Sequence, residues 1–160
     1  MSASAPGSSP AATAAGAAPG ATATGALPSA TSGSAAAAAT LGILLRSGGH
    51  EAAHYALVLA TGAAAIGRPA VIFATNAGLS LLLRAAPLMA DAREARITAS
   101  GVAGIAELLA AARELSVRLI ACDAGLRAEA IAPGALDDGV EVAGVVTFLS
   151  AVGSGQIVSL

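Results

Sequence analysis

The chain holds one cysteine, Cys122. It lies where an apolar run, Val117-Arg118-Leu119-Ile120-Ala121, gives way to a helix-forming stretch beginning at Asp123. A thiol at a helix start meets free backbone N–H groups and the positive end of the helix dipole, and both favour the nucleophilic thiolate. Asp123 opposes this by adding a negative charge, unless it caps the helix and turns away. The plainer alternative is a buried, inert thiol, since free cysteine is among the most buried residue types. A single cysteine also excludes an intramolecular disulfide framework and a thiolate-rich zinc site.

The chain has 2 histidines, His50 and His54, four positions apart with Glu51 between them. His-Glu-Ala-Ala-His is the spacing that sets two imidazoles on one helix face for zinc. A third ligand would have to come from an Asp or Glu, and a small α/β domain with an alanine-rich helix is a poor host for a protease cleft. The reading is an exposed helix start with no metal, with His50 placed to polarise a bound anion or sulfur species. Ser47-Gly48-Gly49 ahead of this helix could cradle an anion through backbone N–H groups, although a tight turn accounts for it more simply. There is no Gly-x-Gly-x-x-Gly, no P-loop and no Gly-x-Ser-x-Gly. With both histidines on one helix a Ser-His-Asp triad has no support. No cofactor is expected.

These residues need elements to hold them. Leu41 to Leu45 and Ala70 to Ala74 are short, continuously apolar runs that suit buried parallel strands, as does Val117 to Ala121. His50 to Ile66 reads as a helix ended by Gly67-Arg68-Pro69, and Gly104 to Leu115 as an amphipathic one. Leu79 to Arg84 is a short helical stretch, Pro87 to Gly101 an irregular surface excursion, and Asp123 to Ile131 the helix behind the third strand. Val140 to Val142 suits a short strand, Gly144 to Ala151 a helix and Gln156 to Leu160 a last strand. Strand–helix alternation predicts an α/β, doubly wound, flavodoxin-like parallel sheet with helices on both faces. Function in such sheets collects beyond the carboxyl ends of the strands. Those ends are Ser47 to His50, Thr75-Asn76-Ala77-Gly78 and Cys122-Asp123. The candidate site is therefore Cys122 as nucleophile, with Ser47, Gly48, Gly49, His50, Asn76, Gly78 and Asp123 as a ligand-binding rim.

Composition bounds the function. The 160 residues are 56% hydrophobic but only 2% aromatic, so aliphatic side chains and alanine must build the core. The mean hydropathy of +0.77 is carried largely by alanine. No apolar run reaches the ~18–20 residues of a membrane span, which leads us to expect a soluble, cytoplasmic protein. All 8 basic residues are arginines scattered from Arg46 to Arg127, with a net charge of −2, which offers nucleic acid neither a basic patch nor a stacking platform. Residues 1–40 carry no charge and consist almost wholly of Ala, Gly, Ser, Thr and Pro, so a disordered tail is expected before a domain at 41–160.

Several stretches together resemble the DsrE/DsrF-like sulfur-relay family, most closely its peroxiredoxin-like branch. They are Leu59 to Gly67 followed by Val71-Ile72-Phe73, then Leu119-Ile120-Ala121-Cys122, then Asp138 to Leu149, in family order across residues 41–160. The loop Thr75 to Gly78 departs from the branch by lacking aromatics, and the excursion Pro87 to Gly101 lacks its methionine- and lysine-rich insertion. The resemblance implies a cytosolic homo-oligomer, trimer or hexamer, carrying sulfane sulfur as a persulfide on Cys122. Its partners would be sulfur-donor and acceptor proteins or small thiols. The reading from a different class is a non-catalytic oligomeric module that binds a small ligand or protein, with Cys122 structural.

Overall fold

The computed structural model describes residues 38–160, so the tail expected at 1–40 lies almost wholly outside the described residues. Five strands form one sheet, all neighbours parallel: β1 (Leu41–Leu45), β2 (Ala70–Ala74), β3 (Arg118–Cys122), β4 (Glu141–Ala143) and β5 (Gln156–Ser159), in the order β4-β3-β2-β1-β5. The α/β, flavodoxin-like class read from the sequence is the one observed. β1, β2 and β3 are central neighbours, which brings their carboxyl ends side by side.

Residue alternation sorts the sheet into two faces. Ile43, Leu45, Ile72, Ala74, Leu119 and Ala121 belong to the larger core. Onto it pack α1 (His50–Ala65) and α3 (Ile105–Glu114). The buried stripe of α1 is Ala53, Ala56, Leu57, Ala60 and Ala63, a helical period written mostly in alanine. Such small side chains let α1 lie close to the sheet and to α3.

Val71, Phe73, Ile120 and Cys122 form the second core with Phe148 and Val152 of α5 (Val145–Val152). The rings of Phe73 and Phe148 stack with centroids 5.1 Å apart. α5 passes so near β1 that a Cβ on Gly42 would meet the Phe148 ring at 3.1 Å. Glycine at this position permits the close approach.

The segment 76–101 differs from expectation. Asn76–Leu82 is a 3-10 helix rather than a loop followed by a helical stretch at Leu79 to Arg84. The stretch Pro87 to Gly101 is not irregular: a 3-10 turn at Pro87–Ala90 leads into α2 (Ala92–Ala99). The Asp91 side chain caps α2 by accepting the Arg93 N–H at 2.8 Å. None of its residues is fully buried, and Ile97 is its one large apolar side chain, so α2 is too polar to read as a core-facing helix. α4 (Asp123–Ala128) is shorter than the helix expected to Ile131. Among the described residues no helix is long and apolar enough to cross a membrane.

Candidate functional site

Cys122 ends β3 and is itself the N-cap of α4. Its Sγ accepts the Gly125 N–H at 3.3 Å. Asp123, whose charge would oppose the thiolate unless it capped the helix, is not the cap. Instead its carboxylate pairs with Arg127 at 2.6 Å, one turn along α4, because the chain leaves the strand at Cys122 with extended angles and enters the helix at the next residue. The Asp123 charge is therefore balanced by a guanidinium and directed along the surface. Cys122 is 9% exposed, set among Phe73, Ile120 and Phe148 on the α5 side of the sheet.

The three strand ends do converge. Gly78 donates its N–H to the Arg46 carbonyl at 3.1 Å. A Cβ on Gly78 would run into the Leu45 backbone, and one on Gly48 would stand 2.7 Å from the Ala77 carbonyl oxygen. A Cβ on Gly125 would lie 2.8 Å from Thr75 Oγ1 and 3.3 Å from Cys122 Cβ, so glycine there lets the first turn of α4 press against the loop after β2. Asn76 sits at φ +50°, a left-handed conformation that asparagine tolerates well, and this gives its presence a backbone reason. The Ser47-Gly48-Gly49 segment is an irregular connection with a bend at Gly49: Ser47 N–H donates to the Leu160 carbonyl at 3.3 Å and Gly49 N–H to Ser47 Oγ at 3.4 Å. Those amides are already engaged, which weakens an anion cradle.

His50 is not the exposed helix start that was expected. It is 4% exposed, and its Nε2 lies 2.6 Å from Glu94 Oε2. The other oxygen of Glu94 accepts the Ile105 N–H at 2.8 Å, at the start of α3. One carboxylate of α2 thus ties together the N-termini of α1 and α3. Gly104 leaves room for it, since a Cβ there would stand 3.0 Å from Glu94 Cδ. His54 Nε2 lies 2.9 Å from the Ala103 carbonyl oxygen. A carbonyl only accepts, so this nitrogen carries the proton. The Nε2 atoms of both histidines therefore face oxygen acceptors, and among the described residues no group of three His, Cys, Asp or Glu is placed to hold a metal ion.

Beside these histidines lies an open cavity of about 480 Å³ between α1 and α2, walled by His50, His54 and Tyr55 on one side and Arg93, Arg96 and Ile97 on the other. Cys122 is not among its lining residues. Sequence reasoning missed Glu94 and this cavity. The readable signal was Asp91-Ala92-Arg93-Glu94, an N-cap residue with glutamate three positions on, which marks a helix start.

No family model matches the sequence, and no curated protein does. Solved structures do share the fold. The ychN protein from E. coli superposes with a TM-score of 0.55 at 15% identity, covering 76% of this chain and 98% of that one. MTH1491 from Methanobacterium thermoautotrophicum, titled a protein of unknown function, gives a TM-score of 0.48 at 17% identity, covering 76% of this chain and 98% of that one. At these identities the likeness to the ychN protein establishes the parallel α/β architecture and nothing about activity.

Proposed function

We propose that the chain is a sulfur carrier of the DsrE-like kind, holding sulfane sulfur as a persulfide on Cys122. One observation carries the reading: the sole thiol of the chain stands at the carboxyl edge of a central strand, its sulfur receiving an amide N–H from the first turn of α4 and bordered by the Thr75-Asn76 loop. This edge is where open parallel sheets place their chemistry. The ordered family-like stretches from Leu59 to Leu149 support it from the sequence side.

In the loading step the Cys122 thiolate attacks the outer sulfur of a donor persulfide, R–S–SH. A Cys122 S–S bond forms, the donor S–S bond breaks, and the donor leaves as R–S⁻. In unloading, an acceptor thiolate takes the outer sulfur and Cys122 thiolate is restored, so the cycle is redox-neutral. With no second cysteine in the chain, donor and acceptor must both be other molecules. The Gly125 amide serves the same sulfur in each state. A lone thiol with no disulfide partner fits a reducing, cytoplasmic setting.

The low exposure of Cys122 favours a second reading, a ligand- or protein-binding module with a structural cysteine. Intact-mass spectrometry after incubation with glutathione persulfide separates the two. A reducible gain of one sulfur atom, absent from Cys122→Ser, is expected for the carrier. Protein that stays unmodified, with a thiol that also resists alkylation, would establish the structural role.

Self-association belongs to the same reading. α5 turns Phe148 and Val152 inward but leaves Val145, Val146 and Leu149 at 52%, 73% and 50% exposure. No charged residue follows Glu141. A second copy of this apolar surface is the occupant proposed for it.

A further inference from the structure

No residue of α2 is fully buried, yet it lies against α1. Polar links hold it: Glu94 to His50 and to the Ile105 N–H, and Arg93 to Glu51. The cavity of about 480 Å³ lies between the two helices, within the usual size of small-molecule sites. Its charge is nearly balanced. The Glu51 carboxylate neutralises Arg93, and it raises the Arg93 guanidinium further above its ordinary range through their hydrogen bond. Arg96 also lines the cavity, and among the described residues it has no carboxylate partner. Around it stand apolar surfaces open to solvent: Tyr55 at 57% exposure, Val102 at 48%, and the partly buried Ile97.

We infer that this cavity is a binding site for a small monocarboxylate with an aromatic or branched apolar body, separate from Cys122. The planar guanidinium of Arg96 matches a carboxylate in two-point geometry. With Arg93 already neutralised by Glu51, the one unneutralised cation, Arg96, matches a single negative charge better than the two of a dianion such as phosphate. Tyr55, Ile97 and Val102 gain by covering an apolar body, which a bare inorganic anion would not provide. Because the ligand touches both helices, binding also secures α2 on α1.

The test is calorimetric titration of the full chain with phenylacetate, with inorganic phosphate as a comparison. Amide hydrogen exchange would be followed in parallel. Phenylacetate should bind, slow exchange in Ala92–Ala99, and bind equally well to Cys122→Ser. Arg96→Met keeps the aliphatic stem on an exposed helix surface, leaves the apo unfolding temperature unchanged, and should weaken binding by about tenfold or more. Absence of phenylacetate binding, equal affinity in Arg96→Met, or phosphate binding as tightly as phenylacetate would each overturn the assignment. Persulfide loading of Cys122 is read separately, so either proposal can fail alone.

Discussion

Replacing Glu94 by alanine tests how α2 is held. The side chain is only 13% exposed, and its partner His50 is 3% exposed. Truncation removes two hydrogen bonds, leaving a buried imidazole and the Ile105 N–H without their acceptor. An unsatisfied buried polar group costs about 1–3 kcal/mol, and a lost helix-start acceptor about 1 kcal/mol. The sum is about 3 kcal/mol, or roughly 10 °C in Tm for a domain of this size. Glu94→Gln keeps an oxygen for Ile105 and should cost about 1 kcal/mol. Gly104→Ala supplies a second arm, because its Cβ would meet Glu94 Cδ at 3.0 Å. It should destabilise the native chain by about 2 kcal/mol and the Glu94→Ala chain by clearly less. Urea unfolding followed by circular dichroism gives all four values of the cycle. A loss below about 0.5 kcal/mol for Glu94→Ala, or strictly additive effects, would refute the linkage.

Glycine positions provide a paired test at the rim and on α1. Gly78→Ala forces a Cβ onto the Leu45 backbone and should cost about 3 kcal/mol, whereas Gly62→Ala, mid-helix with nothing within 4 Å, should raise stability by about 0.5–1 kcal/mol in thermal unfolding. The Arg113 guanidinium, aided by the Asp138 N–H, holds the Asp137 carboxyl below its ordinary range. A depressed acid contributes stability that is present above its unfolded pKa of about 3.9 and is lost as pH falls through the lower folded value. With 30% of the Asp137 side chain exposed, the contribution is at most about 1 kcal/mol. The stability gap between native chain and Asp137→Asn should therefore be constant above about pH 5 and close below about pH 4 in denaturant titrations. Val146→Glu, at 73% exposure, should leave the fold intact and reduce the sedimentation coefficient to that of a monomer. An unchanged value would remove α5 as the proposed self-association surface.

Much of the fold was legible because burial on both sides leaves a strong mark. Leu41 to Leu45 and Ala70 to Ala74 read as strands because a central parallel strand is apolar at nearly every position, and both ranges are those observed. α3 was legible from the apolar period that faces the sheet, and α1 from its alanine-rich run closed by Gly67-Arg68-Pro69. α2 escaped this logic: with Ile97 as its one large apolar residue it is too polar to mark a core-facing helix, and its cap and long-range bonds do the holding. β4, with one half-buried residue at the sheet edge, was legible only roughly and lies one residue beyond its expected range.

Residue order alone established the α/β alternation and the position of Cys122 at a strand-to-helix junction. These follow from local composition, which is written within a few neighbouring residues. The burial of His50 required Glu94, 44 positions away, and the N-cap at Cys122 depended on where the backbone turns out of β3. The meeting of the three strand ends depended on the sheet order β4-β3-β2-β1-β5. The opening between α1 and α2 depended on the path of a polar segment across the surface. Contacts between residues far apart in the chain arise from packing the whole sheet and its helices at once, so no local pattern encodes them.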